Sequence, residues 1–262
     1  MNKNEINGLS IEEYISPGHE GVPGCGKVLA TRLALKAAGQ NTIVVSSSSF
    51  VKNSAKNIIQ PSWKIPFIHT DDCPASLALG VETSMNQGNK IYNLLVLVDE
   101  KTTKAQREAE VEMLKKYASN VCYVFLDGKG TEVDKSPEIT YAATTSVAFP
   151  LDIVNKVDKA LKSTGPSYVK IFSPTPVGSS FPQSKTIQVA KEAFNAKLTP
   201  IYEMEDGVLM NFEIPSKEAS VDSFSALSGV SFNKKQTEGI IVAANDHFEE
   251  LVALKEQQEK NS

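Results

Sequence analysis

The sequence is poor in the side chains that usually ligate metals or act as nucleophiles. It has three cysteines and three histidines in 262 residues. The cysteines, Cys25, Cys73 and Cys122, have unrelated spacings, so they predict neither a disulfide framework nor a zinc site. The histidines are also too scattered to indicate a Ser-His-Asp or Cys-His set. We therefore predict no catalytic side chain.

The sequence also lacks a basic excess and a long apolar run. Its formal net charge is −4 and its lysines are dispersed, which argues against a nucleic-acid partner. No apolar segment approaches the roughly 20 residues that cross a bilayer, and the amino terminus has no segment of signal-peptide type. We therefore expect a cytoplasmic protein with no membrane partner.

The most informative stretch is a glycine-rich loop that leads into a helix, between Pro17 and Phe50. Glycines and prolines prevent regular structure up to Cys25, and apolar residues then recur at helical spacing until Gly39. The β-branched run Thr42–Val45 predicts a buried strand, and serines follow it. A polar loop at the carboxyl end of such a strand is where open α/β sheets bind ligands.

The rest of the chain alternates strand and helix patterns. Apolar runs without a polar face predict buried parallel strands, and four-residue periodicity predicts helices. The predicted strands are Ile65–Ile68, Leu94–Val98, Val121–Leu126, Ile139–Ala143, Tyr168–Phe172 and Ile201–Met204. The predicted helices are Ala75–Met85, Thr103–Ala118, Leu151–Leu161 and Gln188–Phe194.

Together these elements predict an α/β fold with a mostly parallel sheet and helices on both faces. We divide the chain into a main domain, residues 1–212, and a carboxyl-terminal arm, residues 213–262, with a helix from Gly239 to Gln258. Residues 50–64 have no clear period and are predicted as a loop. Residues 1–16 are predicted as one helical turn or a loose arm.

Several motifs follow one another in a fixed order along the chain. They are PGHEGVPGCG at Pro17 to Gly26, NTIVV after the first helix, SWKIPFIH at Ser62 to His69, ALGVE at Ala78 to Glu82, TSVAFP at Thr145 to Pro150, GPSYVKIFSPTPVG at Gly165 to Gly178, and PIYEMEDG at Pro200 to Gly207. In this order they resemble the β subunit of 2-oxoacid:ferredoxin oxidoreductases, the pyruvate synthase family, whose opening is PGHxxCxGCG. The resemblance implies a thiamine-diphosphate-binding fold.

The resemblance also implies a [4Fe–4S] cluster, which the family's β subunit holds through four cysteine thiolates. The four ligand positions fall at Val22, Cys25, Phe50 and Thr175, and only Cys25 is a cysteine. One thiolate cannot hold a cubane, so we expect no intact cluster. Cys25 is then a thiol at a helix start, where the helix dipole could lower its pKa and make it reactive.

The second implied cofactor is thiamine diphosphate, which the family binds through Mg²⁺ at a strand-end GDG motif. The resemblance places the metal-ligating aspartate at Asp99, and a second ligand position near Asp127 or Gly128. Gly26 of the glycine-rich loop and His69 of SWKIPFIH complete the candidate cofactor contacts. The motif has changed, however, because GDGG is here Val98-Asp99-Glu100-Lys101, with a carboxylate where an anion should bind.

These candidate residues also have structural interpretations. Asp99 could cap the helix after its strand, in competition with Thr102 and Thr103. His69 could be a histidine at a strand end whose hydrogen bonds are satisfied within the protein.

Phosphate binding without a metal is a further alternative for the same region. Lys101, Lys104 or the turn 127–130, of sequence DGKG, could supply the contacts, although a solvated turn is the usual meaning of that sequence.

Three functions follow from these alternatives. The first is a divergent β-type subunit with a structural or regulatory role, whose partners are α-type and γ/δ-type subunits and, through the complex, ferredoxin. The second is a catalytic subunit that still binds thiamine diphosphate and Mg²⁺ for oxidative decarboxylation of a 2-oxoacid. The third is a binding protein for another phosphate-bearing ligand.

Overall fold

The computed structural model describes residues 5–6, 8–54, 62–88, 92–117, 119–130, 137–176, 181–217, 219–230 and 234–261. The strands are β1 (Glu5–Ile6), β2 (Leu9–Ser10), β3 (Thr42–Ser46), β4 (Phe67–His69), β5 (Asn93–Asp99), β6 (Cys122–Asp127), β7 (Tyr141–Ser146), β8 (Ser167–Phe172), β9 (Ile201–Glu205) and β10 (Val208–Glu213). The helices are α1 (Gly26–Ala38), α2 (Ser49–Ser54), α3 (Pro74–Gln87), α4 (Lys104–Lys116), α5 (Pro150–Lys162), α6 (Thr186–Asn195), α7 (Val221–Ser228) and α8 (Lys234–Asn261).

One sheet of eight strands forms the centre, in the order β10-β9-β7-β8-β6-β5-β3-β4. The strands from β3 to β8 pair in parallel, and β9 and β10 are antiparallel to their neighbours. After β3 the chain continues to β4, which lies on one side of β3 in the sheet. After β5 it continues to β6, which lies on the opposite side of this pair of strands. The carboxyl ends of β3 and β5, at Ser46 and Asp99, therefore flank the crevice where open α/β sheets bind ligands.

Helices cover both faces of this sheet. Along β5, Leu95 and Leu97 face a core shared with α1, α5 and α6, whereas Leu94 and Val96 face a second core shared with α3 and α4. A strand that is covered on both faces needs apolar residues at successive positions. The sequence therefore shows these strands as unbroken apolar runs. The predicted α/β fold is confirmed.

The sequence analysis missed β10, the sheet's terminal strand. It forms a hairpin with β9 through Asp206 and Gly207, whose φ angles are 49° and 80°. Positive φ at both central residues is the requirement of a type I′ turn, and Asp-Gly is a favoured sequence for it.

The carboxyl-terminal helix is longer than predicted and packs on this hairpin. It begins at Lys234, and its side chains Phe248 and Leu251 contact Tyr202 and Leu209 in a small apolar cluster. The division of the chain after residue 212 stays a prediction.

Two local predictions are wrong. The segment predicted as a loop from residue 50 begins with the helix α2, while residues 55–61 lie outside the described ranges. In the described part of the amino-terminal segment, β1 and β2 form an antiparallel pair, so the alternative of a helical turn is wrong. The alternative of an arm that packs on a partner stays a prediction. Among the described residues, no helix has both the length and the apolar character that a membrane span requires.

Candidate functional site

The candidate site lies where β3, β5 and β6 end. Asp99 is buried at the end of β5, and its Oδ2 accepts a hydrogen bond from Ser48 Oγ. Its Oδ1 accepts a hydrogen bond of 3.0 Å from the backbone N–H of Lys101. The helix cap is Thr103, whose Oγ1 accepts from the N–H of Gln106, so the interpretation of Asp99 as the cap of α4 is wrong. Asp99 closes the turn that precedes this helix.

A buried lysine from α1 completes this cluster. The ammonium of Lys27 contacts Glu100 Oε2 and lies 3.5 Å from Asp99 Oδ2. The side chains of Lys27 and Asp99 are each 8% exposed, and that of Glu100 is 17% exposed. Two carboxylates and one ammonium therefore share a space with little access to water.

The second oxygen of Glu100 binds the next strand end. Its Oε1 accepts a hydrogen bond from the backbone N–H of Gly128, which follows β6. A Cβ placed on Gly128 would lie 2.6 Å from this oxygen and 2.8 Å from Cε of Lys27. The absence of a side chain at residue 128 is thus what lets Glu100 and Lys27 approach the backbone. One carboxylate thereby connects α1 with the ends of β5 and β6.

The charge state of Lys27 follows from two opposing effects. Burial favours the neutral amine and would lower its pKa, but the attraction of Glu100 and Asp99 for the ammonium raises it, and the net pKa lies above the ordinary lysine value. Lys27 is therefore a cation at neutral pH. The cluster of one cation and two anions carries a formal charge of −1.

The turn after β6 is organised by its own aspartate. Asp127 Oδ1 accepts hydrogen bonds from the backbone N–H groups of Lys129 and Gly130, at 3.0 and 2.8 Å. Asp127 Oδ2 lies 3.3 Å from the ammonium of Lys170, on β8. These N–H groups already have a carboxylate acceptor, which is an ordinary Asx turn and not an anion site awaiting a ligand.

These residues do not fit thiamine diphosphate bound through Mg²⁺. Such a site needs carboxylate or amide oxygens directed at the metal and N–H donors directed at phosphate. Here the carboxylates of Asp99 and Glu100 are directed at the ammonium of Lys27, and the N–H of Gly128 is directed at Glu100. The chain itself supplies the anion and the cation at the strand ends.

Gly26 lies against backbone at the start of α1. Its N–H donates a 2.9 Å hydrogen bond to the carbonyl of Pro174, and a Cβ on Gly26 would collide with the backbone of Ser173 and Pro174. The glycine therefore allows α1 to pack closely on the loop after β8. Its predicted contact with a cofactor stays a prediction.

Cys25 is buried beside Gly26, and it lies within hydrogen-bonding reach of the Thr175 side chain. Two of the four cluster-ligand positions implied by the family resemblance are thus neighbours, and the carbonyl of a third, Val22, accepts a 3.2 Å hydrogen bond from the Cys25 N–H. The side chain of Phe50 lies outside the described residues. Burial raises the pKa of the Cys25 thiol, more than hydrogen bonds and Lys27 lower it, so the predicted lowering is wrong.

The other cysteines lie elsewhere. Cys73 precedes α3 and interacts with Glu110 of α4, on the opposite face of the sheet from α1. Cys122 is the first residue of β6, so it lies at the amino end of that strand, away from the carboxyl ends that form the candidate site. Burial raises the pKa of its thiol to about 12. Within the described ranges, no group of three or more histidine, cysteine, aspartate or glutamate side chains is arranged to hold a metal ion.

His69 lies on the far side of the β3–β5 crevice, at the end of β4. Its Nε2 is 3.3 Å from Asp71 Oδ1, and the ammonium of Lys101 is 3.3 Å from the same oxygen. Lys101 also donates a 3.4 Å hydrogen bond to Ser49 Oγ. The alternative prediction of a satisfied histidine is wrong for one of the two ring nitrogens, because the buried Nδ1 of His69 has no hydrogen-bond partner among the described residues. The cofactor contact of His69 stays a prediction.

No family model matches the sequence. Named relatives do match. Pyruvate synthase subunit PorB of Methanothermobacter thermautotrophicus is 27% identical over 235 residues, covering 75% of this chain and 82% of that protein. The PorB subunit of Methanosarcina barkeri is 29% identical over 74% of this chain and 79% of its own length. Ketoisovalerate oxidoreductase subunit VorB of Pyrococcus furiosus is 26% identical over 84% of this chain and 86% of its own length.

The fold is shared with a solved enzyme of related name. A chain of the 2-oxoglutarate:ferredoxin oxidoreductase from Magnetococcus marinus superposes with a TM-score of 0.50 at 16% identity, over 66% of this chain and 72% of that one. The molecule thus has the α/β architecture found in a 2-oxoacid oxidoreductase. In sequence it is a relative of the PorB and VorB subunits, and the resemblance inferred from its motifs is confirmed.

The sequence analysis placed Asp99 and Gly128 at one site, and the structure brings them together through Glu100. It missed Lys27. A signal was present, because a lysine in the first turn of a helix is disfavoured by the helix dipole. A cation at that position, directly after a glycine-rich loop, indicates an anionic partner from elsewhere in the chain.

Proposed function

We propose that this chain is a β-type subunit of a 2-oxoacid:ferredoxin oxidoreductase complex with a structural or regulatory role, and that it holds neither thiamine diphosphate nor a [4Fe–4S] cluster of its own. The similarity to PorB and VorB over three quarters or more of the chain supports the subunit type. The role without a cofactor is supported by one observation in particular, the contact of Glu100 with Lys27 and Gly128.

That contact matters because binding of a diphosphate would require it to be broken. The incoming anion would have to displace Glu100 from Lys27, and Glu100 would then lie beside Asp99 without the cation that both carboxylates share. Asp99 would also have to release the hydroxyl of Ser48 to turn towards a metal. The family's chemistry depends on its bound cofactor, so a subunit that cannot bind the cofactor supports the complex by assembly or regulation.

The partners in this proposal are the α-type and γ/δ-type subunits of the same complex. The similarity to subunits PorB and VorB over three quarters or more of the chain supports partners of these kinds. Ferredoxin would interact with the complex through the other subunits.

The test is to purify the chain alone and after co-expression with α-type and γ/δ-type subunits from the same source. We expect a stable complex in which this chain is stoichiometric, with no iron and no thiamine diphosphate assigned to it. Calorimetric titration of the isolated chain with thiamine diphosphate and MgCl₂ should show no saturable binding. Stoichiometric iron or thiamine diphosphate in the isolated chain would contradict the proposal.

The catalytic alternative makes the opposite prediction for Asp99. If the chain bound thiamine diphosphate through this residue, Asp99→Asn would abolish the activity of the assembled complex. Under our proposal the variant changes neither the thiamine diphosphate content nor any turnover of the assembled complex, and any loss appears in the yield of complex. Dividing activity by the amount of complex, measured by size-exclusion chromatography, separates the two.

A further inference from the structure

We infer that Lys27 and the backbone N–H of Gly128 form an oxyanion receptor, and that the carboxylate of Glu100 is its permanent, tethered ligand. This inference deepens the proposed function and rests on it, because it explains in chemical terms why the strand-end site is closed. The ligand class that the receptor would accept in place of Glu100 is a small phosphate-type oxyanion.

The geometry has the features of ligand recognition. The two donors come from different elements, α1 and the segment after β6, and they bind the two oxygens of one carboxylate. The donors lie 73 residues before and 28 residues after Glu100 in the sequence, so the fold and not local chain geometry brings them together. A cation and a backbone N–H are also the groups that phosphate sites use.

The receptor has a shape that suits an anion. The ammonium of Lys27 is buried and contacts Glu100, and it also lies 3.5 Å from Asp99, so one carboxylate partner remains beside it when Glu100 is removed. Gly128 presents its N–H without a side chain, and a Cβ there would occupy the space of the bound oxygen. Removal of the Glu100 carboxylate should therefore leave a cation and an N–H directed into one small space.

The tether explains why no free anion competes in the natural chain. A ligand on the same chain is present at a high effective concentration, on the order of millimolar or more for a short connection, and here the connection is one side chain. Binding of a free oxyanion would also be opposed by the electrostatic cost of leaving Glu100 unpaired beside Asp99. The receptor is therefore accessible only when residue 100 is shortened.

The experiment compares the full-length natural chain with Glu100→Ala, using inorganic pyrophosphate as the probe. We expect the natural chain to show no saturable heat of binding up to several millimolar pyrophosphate in chloride buffer of matched ionic strength. Glu100→Ala should bind it with an affinity at least about tenfold higher, because charge-assisted hydrogen bonds to Lys27 and Gly128 become available.

Two further variants establish where the probe binds. Glu100→Gln still fills the space and still presents a carbonyl oxygen to Gly128, so it should not gain pyrophosphate binding. Lys27→Met added to Glu100→Ala should abolish the gained binding. Glu108→Ala, on the exposed surface of α4, is the matched control for loss of one carboxylate, and it should behave like the natural chain.

The inference is overturned if Glu100→Ala binds pyrophosphate no better than the natural chain, or if the gained binding survives Lys27→Met. Should Glu100→Ala alone fail to fold, its refolding yield in pyrophosphate compared with chloride at equal ionic strength measures the same occupancy, and an equal yield in both again overturns it. The proposed function fails separately, through thiamine diphosphate binding by the natural chain.

Discussion

Two buried lysines of this molecule differ in the direction of their pKa shift. Lys27, at the strand ends, lies between two carboxylates, and its pKa is raised above the ordinary value because their attraction outweighs burial. Lys156, in α5, is 2% exposed and contacts one carboxylate, Asp152, and the carbonyl of Thr144. Its pKa is lowered because burial outweighs that attraction.

The difference teaches that the balance between burial and attraction, and not the number of nearby anions, decides the direction in which the pKa of a buried lysine shifts, because Asp152, Glu203 and Glu213 all raise the pKa of Lys156 and burial still outweighs them. The Lys27 cluster has a net negative charge and spans three elements, whereas the Lys156 pair joins successive turns of one helix to the neighbouring strand. Asp152 is 27% exposed and also accepts from the Thr145 hydroxyl, so it has water and a second donor. The strand-end cluster is thus the more dependent on its lysine.

The largest effect on the free energy of unfolding should come from removal of the lysine that lies between two carboxylates. Lys27→Met leaves Asp99 and Glu100 adjacent and unneutralised, and we expect it to lower the free energy of unfolding by about 3–5 kcal/mol. Urea unfolding followed by circular dichroism measures this.

The double variant Lys27→Met/Glu100→Gln is the control. It removes one of the two anions and should recover more than half of the loss. A loss below about 1 kcal/mol in the single variant would show that the cluster is solvated and weak, as surface ion pairs are.

A smaller effect is expected at the second lysine. Lys156→Met leaves Asp152 with the Thr145 hydroxyl and partial access to water, and it removes the cost of burying the ammonium. We expect a loss below about 2 kcal/mol in the same urea experiment. If Lys156→Met costs as much as Lys27→Met, the contrast between the two sites is wrong.

The pH dependence of stability should distinguish the lysines by sign. The raised pKa of Lys27 means that between the ordinary value, about 10.4, and the folded value only the folded state binds the proton, so its contribution is full below that range and is lost as pH rises through it. The lowered pKa of Lys156 means that between the folded value and about 10.4 the unfolded state binds the extra proton, so stability rises with pH there.

The measurement is urea unfolding from pH 8 to 11 for the natural chain and both variants. The free energy of unfolding of the natural chain should exceed that of Lys27→Met by less towards the top of the range. Relative to Lys156→Met, the free energy of unfolding of the natural chain should increase as pH approaches 10. Slopes of equal sign would contradict the assigned pKa directions.

The smallest expected effect concerns the thiol beside Lys27. Cys25 is buried and its pKa is raised in spite of the nearby ammonium, whereas Cys73 is partly exposed. We expect N-ethylmaleimide at pH 8 to label Cys73 first and Cys25 at least about tenfold more slowly, which peptide mass spectrometry resolves. Faster labelling of Cys25 than of Cys73 would mean that the helix dipole and Lys27 outweigh burial.

Much of the fold was predictable because its strands are buried on both faces. The apolar run Leu94–Val98 identifies β5, and the glycine-rich loop identifies the start of α1, since each signal is local. The hairpin at Asp206 could also have been predicted from its Asp-Gly pair. It was missed because β10 alternates only weakly between buried and exposed residues.

The closure of the site was less predictable. The sequence shows Glu100 and Lys101 where the resemblance implies the glycines of a GDG motif, but the cation that pairs with Glu100 lies 73 residues away. Only the fold shows that Lys27 and Glu100 meet. The pKa of Cys25 was mispredicted for the same reason, because the dipole is a local property and burial is a tertiary one.

A cofactor normally stabilises its protein in proportion to the logarithm of its concentration. The Glu100 carboxylate is part of the polypeptide, so its contribution at the strand ends cannot be diluted, dialysed away or depleted. If the chain holds no thiamine diphosphate, as we propose, its maturation should proceed at the same rate in thiamine-starved and thiamine-replete cells.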